Sequence, residues 1–179
     1  MMKKIIIGVV LAIVAYFAYG VLTTRSHSPL DTAETSIGDL SVKVVYCQPY
    51  KKGRLIFGDE ADEVLVPYGK YWRLGANEAT EITFSKDINF AGNPVAAGSY
   101  RMYAVPNVDS WEVSLNSQLG EFGYFEPDYS LDVLKANVPV QSAAGELEQF
   151  TIQFANDSIG TQMNMMWDKT LVSVSIAEQ

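Results

Sequence analysis

The chain has 179 residues, a formal net charge of −8, one histidine and one cysteine. That balance repels polyanions, so nucleic-acid and anionic-lipid surfaces are excluded unless basic residues gather into a patch, and no Lys/Arg run in the sequence makes one. A single cysteine forms no intramolecular disulfide, so the fold must rest on its core.

Lys3 and Lys4 precede Ile5 to Leu22, an uncharged and mostly apolar run closed by Thr23, Thr24 and Arg25. As a helix it covers ~27 Å at ~1.5 Å per residue, against a hydrocarbon core of ~30 Å. Tyr16 and Tyr19 fall near the far interface. The run is longer than the ~7–15 residues of a signal-peptide core, which favours an uncleaved anchor in a bacterial membrane; Ala18 and Gly20 supply the small-x-small pattern of the competing reading, a cleaved signal. Two lysines before the run and one arginine after it put residues 1–4 in the cytoplasm and the rest in the periplasm or outside the cell.

Residues 23–36 are polar, contain Pro29, and read as a spacer. Residues 37–179 then form one domain. Apolar residues alternate with period two through Leu40, Val42, Val44 and Tyr46, then Thr80, Ile82 and Phe84, then Tyr100, Met102 and Ala104, then Trp111, Val113 and Leu115. The pattern resumes at Leu131 and Val133, at Phe150, Ile152 and Phe154, at Met163, Met165 and Trp167, and at Val172, Val174 and Ile176. Turn signals separate these runs, among them Gly75, Gly92-Asn93-Pro94, Pro106-Asn107 and Asn156-Asp157, and Asp168-Lys169 is expected to turn a last hairpin. The fold expected is all-β, an antiparallel β-sandwich, with a closed β-barrel as the alternative. Cys47, inside the strand-like SVKVVYCQ, reads as a small buried hydrophobe.

The stretches SPLDTAETSIGDLSVKVVY, KKGRLIFG, LVPYGKYWRLGANEATEITFSKDI, AAGSYRMYAVP and WDKTLVSVSI, in that order, resemble the bacterial family called domain of unknown function 2911. The resemblance covers about residues 28–178. It implies a secreted or envelope location and carries no activity. Two stretches depart from the family pattern: the acidic Asp59 to Glu63 run, and GEFGYFEPDY, where many members have a tryptophan-glycine pair.

His27, the sole histidine, lies beside the anchor, so no Ser-His-Asp triad or histidine zinc site can form within the β domain. No GxSxG, Walker or GxGxxG motif is present. The polar cluster in WRLGANEAT is the leading candidate, with Arg73 on the strand face opposite Trp72 and Leu74, and Asn77 and Glu78 on the following turn. One reading makes it a structural corner in which Arg73 pairs with Glu78 and Asn77 satisfies backbone groups, and this ranks first because ion pairs outnumber active sites. The second makes it a ligand site for a carboxylate or phosphate, with Arg54, Tyr68 and Lys70 as further contacts. The third is a hydrolase using Glu78 as acid or base with Arg73 and Asn77.

Lys51, Lys52 and Arg54 form one cationic loop, read first as solvated. The acidic run lacks the ligand spacing of a calcium loop, Met163, Met165 and Met166 read as core rather than a copper site, and no cofactor or metal is expected. Tyr124, Phe125 and Tyr129 form an aromatic loop suited to a sugar ring or a partner protein. The function expected is an envelope module that binds a ligand or protein, with no nucleic acid as partner.

Overall fold

The computed structural model describes residues 2–179, apart from the side chains of residues 2–6, 21, 22 and 24. Met1 and the side chains of Ile5, Ile6, Val21 and Leu22, all part of the expected N-terminus and anchor, lie outside that set. A single helix, α1 (Met2–His27), precedes the strands. Its Ile7–His27 portion has a mean hydropathy of 2.0 with none of its apolar window buried, and it is long and apolar enough to span a membrane.

Eleven strands follow among the described residues: β1 (Leu30–Ile37), β2 (Leu40–Cys47), β3 (Phe57–Gly58), β4 (Val66–Pro67), β5 (Thr80–Phe84), β6 (Ile88–Phe90), β7 (Asn93–Val95), β8 (Gly98–Pro106), β9 (Ser110–Asn116), β10 (Asp132–Asn156) and β11 (Thr161–Glu178). Nine form one antiparallel sheet in the order β1-β2-β5-β8-β9-β10-β11-β6-β7, and β3 and β4 make a small parallel pair. The large sheet is not closed into a barrel. It folds over itself as a sandwich because β10, 25 residues long, pairs through its first part with β9 and through its second with β11. Tyr46 on β2 ties the layers together: the Ile152 N–H of β10 donates to its hydroxyl at 2.9 Å.

Three local expectations change. The expected spacer is partly a strand, since Leu30–Ile37 pairs along its whole length with β2. The polar side chains of β1 fit that place, because an edge strand needs only one covered face. Val133 and the run at Phe150–Phe154 belong to one continuous bent strand rather than two, while Leu131 ends a short 3-10 turn before it, and both Leu131 and Val133 are exposed. Asp168-Lys169 is no hairpin turn either, for β11 runs straight through it. Buried positions fall at 163, 165 and 167 and then at 172, 174 and 176, so the phase of the alternation flips at Asp168, whose φ is +53. Register shifts between Ser142/Leu147 and Leu147/Thr151 on β10 face this point. An irregularity that inserts residues inverts the alternation as a turn would, and sequence alone does not separate the two.

The core at the bend is aromatic. Trp72 stacks on Trp167 at 5.9 Å and meets Phe150 at 5.0 Å and Trp111 at 5.3 Å in edge contacts, while Phe57 touches all three tryptophans. Each such pair contributes about 0.5–1.5 kcal/mol beyond its area burial. The candidate site lies against this cluster.

Candidate functional site

Residues 71–79 form no long strand. Trp72 makes one bridge to Ala104, with N–H to O distances of 2.8 and 2.9 Å, and then the backbone leaves the extended region: φ is +51 at Leu74, +150 at Gly75 and +57 at Asn77. Gly75 is required twice over, by its φ and because a Cβ there would sit 2.6 Å from the Cys47 carbonyl oxygen. The Thr80 hydroxyl donates to the Leu74 carbonyl at 2.7 Å and closes the bend.

A second segment, residues 117–131, folds over it. The Gly123 N–H donates to the Asn77 carbonyl at 2.9 Å, the Ala79 N–H to the Glu121 carbonyl at 3.2 Å, and the Tyr71 hydroxyl to the Gly123 carbonyl at 3.0 Å. Gly123 allows the close approach, since a Cβ would lie 2.6 Å from Cδ of Arg73.

Trp72 and Leu74 are buried, and Arg73 takes the opposite face as the alternation requires. Its expected partner does not follow it. Glu78 turns away and pairs with Arg25 at the end of α1, 2.7 Å from Nη2, and accepts a second hydrogen bond from the Cys47 thiol at 3.3 Å. The expected Arg73–Glu78 ion pair is therefore absent, because the left-handed residues between them send the two side chains into different cavities. Glu78, Arg25 and Cys47 line one of about 250 Å³. Arg73 and Arg54 line another of about 360 Å³, walled by Tyr71, Trp72, Tyr124 and Trp167.

In the larger cavity no carboxylate faces the guanidinium groups, among the described residues. Arg54 donates to the Lys51 carbonyl at 2.9 Å and to the Tyr50 carbonyl. Arg73 has no hydrogen bond or ion pair among the described residues, and its Nε is buried without a partner. Burial lowers its pKa from the ordinary arginine value and outweighs the interactions with Tyr71, Cys47 and Tyr124 that oppose it. A half-buried cation without a counter-charge is costly unless something else supplies one.

Arg101, which sequence reasoning passed over, stands behind the wall at 1% exposure. Its Nη2 donates to the Tyr71 hydroxyl at 2.6 Å and to the Phe125 carbonyl, while Nε and Nη1 find no partner. Its signal was an arginine in the middle of SYRMYAV, flanked by residues that are buried on both faces of β8. It puts a third positive charge near the cavity, relayed through Tyr71.

In the smaller cavity, burial would raise the Glu78 pKa, but its own backbone N–H, Arg25 and the Cys47 thiol outweigh that and hold it below the ordinary glutamate range. Burial first, and then Glu78, push the Cys47 thiol up to about 11. Asn77 donates weakly to the Ser28 carbonyl at 3.4 Å. Thus Arg73 and Arg54 share a cavity, Glu78 lines the other, and Asn77 lies beside the end of α1.

Tyr68 and Lys70 line neither cavity. Lys70 instead reaches Glu60 of the acidic run at 3.5 Å across solvent. Lys51 is not solvated but held by Glu146 at 2.6 Å and Asp168 at 2.7 Å. Met163 and Met165 are core residues.

The family model described as a protein of unknown function, DUF2911, matches residues 28–176. The chain is a member of the DUF2911 family. The match takes in β1, so the DUF2911 domain begins at the end of α1 and contains the whole lining of the larger cavity and, apart from Arg25, that of the smaller one. No curated protein and no solved structure matches the chain.

Proposed function

We propose that this DUF2911 domain is a ligand-binding module of the cell envelope, held at a membrane by α1 and facing the periplasm or the exterior, and that it takes a small anion between Arg73 and Arg54. The observation that carries this is the Arg73 guanidinium, half-buried in a cavity with a second arginine and no carboxylate among the described residues. A volume of about 360 Å³ falls at the small end of ligand pockets. Guanidinium groups grip carboxylates and phosphates through paired N–H donors, and the aromatic walls favour a ligand with a flat or apolar part. The outward orientation follows from the lysines before the apolar run.

The hydrolase arrangement requires Glu78 and Arg73 in one cleft, and they line separate ones. The test is thermal unfolding of the full chain in detergent with phenyl phosphate and, separately, phenol. Phenyl phosphate at saturating concentration should raise the Tm by several degrees, phenol should not, and Arg73→Gln should remove the effect. If neither phenyl phosphate nor benzoate moves the Tm, the pocket is not an anion site.

A further inference from the structure

The anion pocket and the membrane segment are not remote from each other. Ser28, the first residue after α1, is buried and lines the Arg54–Arg73 cavity. The apolar run ends at Leu22, six residues earlier. At ~1.5 Å per residue the cavity wall then stands no more than ~9 Å along the helix from the hydrocarbon edge, near the outer limit of a headgroup layer that is ~5–8 Å deep on each side.

The rim of the cavity suits that position. Leu65 and Tyr124 line it, 41% and 70% exposed. The Leu65 N–H donates to the carbonyl of Leu55, itself 62% exposed, and Phe125, 63% exposed, packs edge-on against Tyr124 at 5.6 Å. Two large exposed side chains thus line the rim of a cationic pocket beside α1, and two more exposed ones, Leu55 and Phe125, belong to residues directly bonded or packed against them. Lys52 lies at the same end, with Nζ 2.9 Å from Nδ1 of His27.

We propose that the pocket holds the anionic headgroup of a lipid in the bilayer that anchors α1, with Arg73 and Arg54 on the headgroup and Leu55, Leu65, Tyr124 and Phe125 resting in the interface. This rests on the reading of the pocket as an anion site and names the source of the anion. The net charge of −8 opposes a general attraction to anionic lipid. That opposition is reduced at the pocket itself, whose wall holds no carboxylate among the described residues and beside which Glu78 is paired with Arg25 and Glu146 with Lys51. Glu126, which accepts from the Tyr129 hydroxyl at 2.7 Å, and the acidic run before Leu65 are the charges the contact has to outweigh. Charges farther than a Debye length, ~8–10 Å, are largely screened. A tyrosine and a phenylalanine at headgroup depth are where such rings partition, and a cationic pocket framed by apolar side chains matches an amphiphile better than a free ion.

The experiment measures the Tm of the full chain in nanodiscs of phosphatidylcholine alone and of phosphatidylcholine with phosphatidylglycerol at about a third of the lipid. The acidic lipid should raise the Tm by about 5 °C, as a ligand near a hundred times its Kd does. Arg73→Gln should abolish the rise, with Arg54→Gln as the second variant should the first fail to fold. Leu55→Ser combined with Phe125→Ser, at exposed residues that do not line the cavity, should weaken the lipid effect in nanodiscs while leaving the phenyl phosphate effect in detergent intact. No rise with phosphatidylglycerol, while phenyl phosphate still acts in detergent, would overturn the lipid assignment and leave the anion site standing. A rise that survives both arginine substitutions would mean general charge attraction and would overturn it as well. If neither lipid nor phenyl phosphate has an effect, both readings fall.

Discussion

At the scale of single residues, Arg73 and Cys47 make opposite predictions. Arg73 has a buried Nε with no partner, so it stabilises little in the free protein. Arg73→Met, which keeps the apolar stem and removes the unpaired charge, should raise stability by ~1 kcal/mol, or a Tm rise of about 2–4 °C for a chain of this size, while ending anion binding. A loss of several degrees in a melting curve would instead mark the guanidinium as structural. Cys47 is 1% exposed and its thiol is pushed up to about 11. Iodoacetamide at pH 8 should therefore modify it at least about 100-fold more slowly in the folded chain than in urea. Mass spectrometry of timed aliquots reads both rates. Glu78 supplies the pH dependence. Its pKa is lowered in the folded state, so its share of stability is present above the unfolded value, ~4.3, and is lost as pH falls through the folded value. Glu78→Gln should flatten the acid limb of a Tm against pH curve below about pH 4.3 and leave its neutral part nearly level. The group is 42% exposed, so solvent screens the effect.

At the scale of elements, the site depends on two segments held face to face, and Gly123 sets their distance. Gly123→Ala would put a Cβ 2.6 Å from Arg73 Cδ and 3.0 Å from the carbonyl oxygens of Asn77 and Glu78. The loop must then lift, and we expect a loss of ~1–3 kcal/mol together with weakened phenyl phosphate binding, read from melting curves with and without the anion. Neither this approach nor the separation of Arg73 from Glu78 was legible in the sequence. The alternation across Trp72, Arg73 and Leu74 did reveal which face Arg73 takes, because period two follows from strand geometry alone. The direction taken by Glu78 depends on three departures from extended backbone within four residues, and two of them, at Leu74 and Asn77, fall on residues that carry a Cβ. Composition does not signal those, whereas Gly75 announced itself. The strands were legible for the same reason as Arg73, and the errors arose where the alternation changed phase, at Asp168 on β11, or lapsed, between Val140 and Phe150 on β10.

At the scale of the whole molecule, the end of α1 and the pocket occupy one end of the sandwich. If α1 holds the chain in a membrane, alkaline carbonate washing should leave it in the pellet, and protease added outside spheroplasts should reach the β domain. Protection of the domain from that protease would reverse the orientation.

The order of the sheet carries one more consequence, for how the protein is made. β6 and β7, residues 88–95, join the large sheet through β11 alone, at Phe90 with Ile176 and its neighbours. On a chain synthesised from its first residue onward, these two short strands emerge early and wait for a partner some eighty residues behind them. During that interval Ile88 and Phe90 lack the cover of β11, and Phe90 has only earlier residues such as Phe84 to pack on, which makes the half-emerged chain, rather than the finished one, the form most in need of a holding chaperone.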